Sequence, residues 1–270
     1  MKRHYRRVLT IAGSDPSGGA GIQADLKTIA ACECYGASAI VAVVDENTQG
    51  VTGIHEIPVD FVTGQIHSVL DDIGADAIKI GMLHSSELIL AVKHAIAPYK
   101  IVNTVLDPVM VATSGDRLLR DDAIETLRKE LIPSVRVITP NIPEAEVLLG
   151  CKISCHKDLI DVVRDLSMDK KVSVLLKAGH LEEKDSADVF YNAETDEIIE
   201  LRFMRIDTKN THGTGCTLSS AIAAYLTHGL SLDWAVRKAK DYVNMAIFDG
   251  AYYTIGKGNG PIHHFYKYWK

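Results

Sequence analysis

Residues 210–220 read NTHGTGCTLSS: two glycines around a threonine, then a cysteine and a run of small side chains. A helix starting near Thr214 would aim free amides and the positive end of its dipole at whatever sits beside Gly213, Thr214 and Gly215. Such a helix start suits the charge that develops on a phosphoryl group in flight. A plain glycine lead-in to a helix is the alternative. Cys216 is harder to place: base, nucleophile, metal ligand and small buried side chain are all open from this stretch alone.

A second glycine-rich loop, GSDPSGGAG at 13–21, lies between a strand-like and a helix-like segment. It does not fit the Walker pattern G-x-x-x-x-G-K-[ST]. Its glycines would let backbone amides approach a ligand closely, and a long turn is the bland reading. Gly19, Gly21 and Ala24 fit G-x-G-x-x-A, and Asp45 closes the next apolar run, which gives an NAD-dependent oxidoreductase alternative. Against it, six residues separate the strand from Gly19, whereas that fingerprint needs a tight turn at the strand end.

Charged residues recur at other strand ends. Asp107 precedes Pro108, and Glu144 lies in NIPEAE. Carboxylates at neighbouring strand ends can hold Mg²⁺ against polyphosphate oxygens; a first-turn acid serving the helix dipole is the simpler reading of Glu144 alone. Lys177 closes the apolar run VSVLLK. Its ammonium either meets a phosphate or snorkels to the rim.

The elements that must position these groups alternate. Strand-like runs at 7–13, 37–44, 76–81, 104–109, 135–139 and 172–179 are separated by helix-like segments at 21–32, 59–73, 86–97, 121–131, 143–150 and 157–167. Uninterrupted apolar strands alternating with helices predict an α/β fold with a mostly parallel sheet covered on both faces. ADVFYN and EIIELRF around AETD predict a β-hairpin edge within 187–202, followed by helices near 215–228 and 232–248. Ligands of open parallel sheets sit outside the carboxyl ends of the strands. Gly13–Gly21, Asp45–Asn47, Gly81–Met82, Asp107–Val109, Asn141–Glu144 and Lys177–Gly179 are six such ends. No linker, low-complexity stretch or repeat divides the chain, so one domain over residues 1–270 is the expectation.

Composition narrows the function. The 270 residues are 47% hydrophobic and 24% charged, with net charge -6. That balance supplies no basic face for nucleic acid. No run approaches the ~18 apolar residues of a membrane span. The basic start MKRHYRR leads into an apolar run too short for an export signal. Five cysteines, an odd number, point to reduced thiols and a cytoplasmic location. Cys151, Cys155 and His156 match no usual zinc spacing.

Taken together, LTIAGSDPSGGAGIQADLKT, KIGML, VLDPVM, SGDRLL, ITPNIPEAE, DTKNTHGTGCTLSSAIAA and GPIHHF resemble the ribokinase-like superfamily. Within it they are similar to the hydroxymethylpyrimidine/phosphomethylpyrimidine kinases of thiamine biosynthesis, from about Val8 to His264. The resemblance implies a ribokinase-like three-layer sandwich, usually a homodimer. It implies ATP- and Mg²⁺-dependent phosphorylation of 4-amino-5-hydroxymethyl-2-methylpyrimidine and of its monophosphate, and leaves a monovalent-cation requirement open. Pyridoxal kinase, a relative of the same fold, is the nearest alternative; a non-catalytic regulator is a third.

Carried over, Gly13, Asp25, Glu46, Met82 and Val109 are the pyrimidine site, with Glu46 accepting from the ring amino group. Asn141, Lys177, Thr208 and Thr211 line the nucleotide side, and Asp107 and Glu144 serve Mg²⁺. Gly213, Thr214, Gly215 and Cys216 form the anion hole. Cys216 stands where many sugar kinases of the superfamily have an aspartate base. A thiol at a helix start can have a lowered pKa and take the hydroxyl proton as thiolate. Asp45 departs from the small residue usual beside Glu46; it either perturbs the acceptor site or faces solvent.

Overall fold

Short, mostly apolar runs such as RVLTIA, AIKI and SVLL form a sheet whose central strands are buried on both faces. The computed structural model describes residues 4–110, 119–179, 187–203 and 205–269. The SGDRLL motif apart from Leu119, and the first three residues of the basic start, lie outside them. In chain order the elements are β1 (Arg7–Ala12), α1 (Gly21–Ala31), β2 (Tyr35–Ile40), β3 (Ala42–Asn47), β4 (Gly50–Glu56) and α2 (Val59–Asp72). There follow β5 (Ala77–Ile80), α3 (Ser86–Ile96), β6 (Thr104–Leu106), α4 (Asp121–Thr126), β7 (Val137–Ile138), α5 (Ile142–Leu149) and α6 (Leu159–Leu166). The chain continues through β8 (Ser173–Leu176), β9 (Ala187–Asn192), β10 (Glu197–Arg202), α7 (Thr214–Thr227) and α8 (Leu232–Gly250).

The main sheet has the order β10-β9-β8-β7-β6-β5-β1-β2. Pairing from β2 through β8 is parallel, and β9 runs antiparallel to both β8 and β10, which makes the expected hairpin edge. Alternate strand residues feed two cores. Leu9, Ile11, Ile78, Ile80 and Leu106 pack with α2 to α6 on one face. Val8, Ala77, Val105, Val137 and Leu175 pack with α1, α7 and α8 on the other. No helix among the described residues is long and apolar enough to cross a membrane.

Two element expectations need correction. Residues 37–44 are not one strand. The chain leaves the sheet at Val41, whose amide donates to Ala12, and residues 42–47 pair with 50–56 in a separate antiparallel hairpin, β3–β4. Asp45–Asn47 therefore sit on that hairpin, not at a strand end of the sheet. This also removes the dinucleotide alternative, which needed Asp45 closing the second sheet strand. The helix expected over 121–131 is α-helical only to Thr126 and continues as a π-helical turn over Leu127–Leu131.

One buried ion pair ties the sheet to its helices. Lys79, in the middle of β5, is fully buried, and its ammonium donates to both oxygens of Asp25 on α1 at 2.9 and 2.8 Å. Asp25 also accepts from Thr10 of β1 (2.6 Å) and Ser220 of α7 (2.7 Å). Burial is the largest influence and works against the ammonium charge, but Asp25, Cys216 and Asp107 together raise the Lys79 pKa. The small side chains Ser220, Ala221 and Ala224 let α7 approach closely enough for this contact.

Removing the cation strands a desolvated carboxylate. Lys79→Met is therefore expected to lower the unfolding free energy by about 3–5 kcal/mol in a urea titration; a loss below about 1 kcal/mol would show the pair to be dispensable.

Candidate active site

The two glycine loops interlock. Gly213, the residue before α7, has φ +79°, and a Cβ there would lie 1.8 Å from the Gly19 carbonyl oxygen. Gly19 in turn has no room for a side chain, because a Cβ would meet the His212 ring at 2.4 Å. Here glycine is required by close approach and by a left-handed backbone.

Asp15 fastens the junction. Its carboxylate is 1% exposed and accepts from the amides of Ser17 (2.7 Å), Gly19 (3.0 Å) and Ala20 (2.6 Å), and from His212 Nε2 at 2.9 Å. Burial opposes its charge, but His212, Ser17 and Ala20 prevail and hold the Asp15 carboxyl well below the usual range. Burial likewise opposes protonation of His212, but the hydrogen bond and charge of Asp15, then the charge of Glu46, raise its pKa. The nearest Glu46 oxygen is 3.8 Å from His212 Nε2.

Beyond these loops lies a cleft of about 990 Å³. On one flank, Gly13, Met82, Val109 and Glu46 face it, with Val44 between them. Gly13 touches Met82 directly, since a Cβ would meet the Met82 methyl at 2.8 Å. Glu46 is 11% exposed, while Asp45, the residue before it, points to solvent, which settles the orientation of Asp45. The ladder slips between Asp45 and Glu46, a bulge that bends the hairpin where its carboxylate enters the cleft.

On the other flank, Lys177 Nζ donates to Asp107 Oδ1 at 3.1 Å and stands 4.0 Å from Glu144. Asp107 also accepts from Thr139 at 3.1 Å. Burial works against the Lys177 charge, but Asp107 and Glu144 raise its pKa overall. Burial, then Asp107, push the Glu144 carboxyl up to about 7 against the pull of Lys177. Glu144 is also half of a capping box: Asn141 N donates to Glu144 Oε2 and Glu144 N to Asn141 Oδ1, each at 2.8 Å. Glu144 is therefore a first-turn cap of α5 whose carboxylate also lines the cleft. Thr208 and Thr211 line the cleft on this flank.

Between the flanks stand Gly213, Thr214, Gly215 and Cys216 at the start of α7. The first-turn amides of a helix have no intrahelical acceptor. Gly215 packs tightly here: a Cβ would lie 3.2 Å from both Asp107 Oδ2 and Lys177 Nζ. The expected low pKa of Cys216 is not found. Burial raises it first, and Asp25 and Asp107 add to this, so that the thiol sits at about 12 despite Lys79 and the Gly21 backbone. Desolvation beats the helix dipole, and Cys216 is a neutral thiol at physiological pH.

Asp25 is the carried-over residue that does not reach the cleft, being fully buried behind Lys79, which does. Lys79, Asp15 and His212 were missed as site residues. Lys79 carries the same signal as Lys177, a lysine inside a buried strand. Asp15 and His212 lie inside the two glycine loops but draw meaning only from their mutual contact. Cys155 donates to Asp158 at 3.3 Å, and the group of possible metal ligands among the described residues is Asp15, Glu46 and His212, not the cysteines.

His212 has a raised folded-state pKa, so its stabilisation is present below its unfolded value near 6.5 and is lost as pH rises through the folded value. The melting temperature is expected to fall from about pH 6.5 upward in the native chain relative to His212→Gln. Parallel curves for the two proteins would contradict the charged Asp15–His212 contact.

The phosphomethylpyrimidine kinase family matches residues 15–263 of this chain. A hydroxymethylpyrimidine/phosphomethylpyrimidine kinase from Rhizobium meliloti (strain 1021) is 44% identical over 265 residues, 97% of this chain and 98% of the relative. The crystal structure of phosphomethylpyrimidine kinase from Clostridium difficile 630 is 40% identical with TM-score 0.78, covering 89% of this chain and 99% of its own. The pyridoxal kinase from Staphylococcus aureus in complex with AMP-PCP and pyridoxal is 33% identical with TM-score 0.88, covering 98% and 96%. With the ribokinase-like architecture and the cleft both in place, the chain belongs to the phosphomethylpyrimidine kinase family.

Proposed function

We propose that this chain, acting as a single kinase domain, phosphorylates 4-amino-5-hydroxymethyl-2-methylpyrimidine with ATP, then phosphorylates the monophosphate to the diphosphate. The observation that carries this reading is the two-sided cleft. A carboxylate and an apolar slot (Glu46, Met82, Val109) face a lysine–acid cluster (Lys177, Asp107, Glu144) across the helix start at Gly213–Cys216.

Glu46 accepts from the ring amino group while Met82 and Val109 cover the ring. This turns the hydroxymethyl toward Cys216. The alcohol oxygen then attacks the γ-phosphorus, the bond to the β-phosphate oxygen breaks, ADP departs and the alcohol proton passes to solvent water. Asn141, Thr208 and Thr211 serve the nucleotide. Lys177 and the amides of Gly213, Thr214 and Gly215 stabilise the transferring group. A neutral Cys216 positions the hydroxyl by hydrogen bonding instead of waiting as a thiolate. Loose phosphoryl transfer tolerates this, because positioning and electrostatics dominate.

Mg²⁺ fits the donor set. Asp107 and Glu144 are hard oxygen donors, buried together, and burial with the neighbouring Asp107 charge raises the Glu144 pKa despite Lys177. When bound there, Mg²⁺ neutralises phosphate charge.

Pyridoxal is the second substrate to weigh, because it also carries a hydroxymethyl on a heteroaromatic ring and the solved pyridoxal kinases share this fold. A homodimer belongs to the same reading: Val43 and Ile54 on the β3–β4 hairpin are 48% and 42% exposed, and sedimentation tests it.

ADP release measured with the pyrimidine alcohol, its monophosphate and pyridoxal in parallel is expected to favour the first two. A higher kcat/KM for pyridoxal would overturn the assignment. Cys216→Ala is expected to lower kcat about a hundredfold with KM for ATP nearly unchanged; near-normal kcat makes Cys216 a packing residue. Because the thiol sits at about 12, the native kcat is expected to show no rise between about pH 6 and 9 that Cys216→Ala removes.

A further inference from the structure

The hairpin β3–β4 carries Glu46 yet belongs to no larger sheet. An isolated two-stranded hairpin is marginal in water. Its base is anchored: Ser14 N donates to Ala42 O at 2.9 Å, Ile57 N to Val41 O at 3.0 Å, and Val44 N to Ser14 Oγ at 3.2 Å. Its tip is gripped by a different part of the chain, the segment after α8. The Thr48 hydroxyl accepts from the amides of Lys257 and Gly258, each at 3.2 Å, and the Thr48 carbonyl accepts from Asn259 N at 2.8 Å. The fit requires glycine on the gripping side. A Cβ on Gly256 would lie 2.2 Å from Thr48 Oγ1, and one on Gly258 would lie 1.9 Å from the Thr48 oxygen.

The other end of this segment is fixed to the anion loop. Asn210 Nδ2 donates to the carbonyls of Gly250 (2.7 Å) and Tyr253 (2.8 Å), and His212 N donates to Gly260 O at 3.0 Å. Residues 250–261 thus bridge the loop that carries His212 and the hairpin that carries Glu46.

We propose that residues 250–261 are a strap that sets the position of the acceptor carboxylate, with Thr48 as the positioning residue it grips. Thr48 lies two residues beyond Glu46 and touches no reacting atom. Its hydroxyl fixes the height of the hairpin tip over the cleft, and so the distance between Glu46 and the anion loop. Acceptor binding, not phosphoryl transfer, depends on it.

This rests on the kinase reading above, so the test has one arm that does not. Thr48→Val keeps the side-chain shape and removes the acceptor oxygen from two amides. It is expected to raise KM for the pyrimidine alcohol about tenfold, with kcat and KM for ATP little changed. Thr48→Ser, which keeps the oxygen, restores the native KM. In the second arm, hydrogen exchange is followed at residues 43–47 without any substrate. Exchange there is expected to speed up in Thr48→Val and to stay native in Thr48→Ser. Native acceptor KM in Thr48→Val overturns the proposal. So does a loss confined to kcat or to melting temperature, which makes the strap a stability element. Should the native chain phosphorylate no pyrimidine, the kinase reading fails, and unchanged exchange in Thr48→Val still decides against the strap.

Discussion

The contact between Asp15 and His212 holds the two halves of the site in register. One carboxylate organises the first glycine loop by accepting three of its own partners' amides and then reaches across to the second loop through His212 Nε2. The loops meet so closely that glycine is obligatory at 19 and 213. The position of the helix start at Gly213 relative to the first loop is therefore fixed by one buried, charge-assisted hydrogen bond and by steric exclusion. Each loop leads from a β element into a helix start.

Beneath that junction sits a second buried charge. Lys79 and Asp25 join β5, α1, β1 and α7, and the ammonium lines the floor of the cleft. Desolvation beside this pair keeps the Cys216 thiol neutral. On the function proposed above, the charged groups around Lys177, the amides at the helix start and the neutral thiol of Cys216 act by placement, without a strong preformed base.

The sheet was legible because its strands are short uninterrupted apolar runs, and the hairpin edge because AETD separates two strand-like runs. The β3–β4 hairpin was not. ASAIVAVV reads as one run, and the break at Val41 comes from a backbone bond to Ala12 that no periodicity records. Its turn, within DENTQG, follows directly on the apolar run, which masked the change of sheet. Lys177, Asp107 and Glu144 announce themselves as charges at the ends of buried strands. Asp15 and His212 are 197 residues apart and gain their role only in contact. The raised pKa of the Cys216 thiol was not legible, because helix position is local and visible, whereas burial depends on packing.

The central claim is that both glycine loops serve one in-line transfer, with the acceptor ring held by Glu46 and its hydroxymethyl turned toward Cys216. A crystal structure of the chain with an ATP analogue and the pyrimidine alcohol tests it most directly. The account predicts the ring amino group within hydrogen-bonding distance of Glu46, and the γ-phosphate between Lys177 and the Gly213–Gly215 amides. The alcohol oxygen should lie between that phosphate and Cys216. A ring bound with its hydroxymethyl turned away from Cys216, or a γ-phosphate seated away from the start of α7, would contradict it.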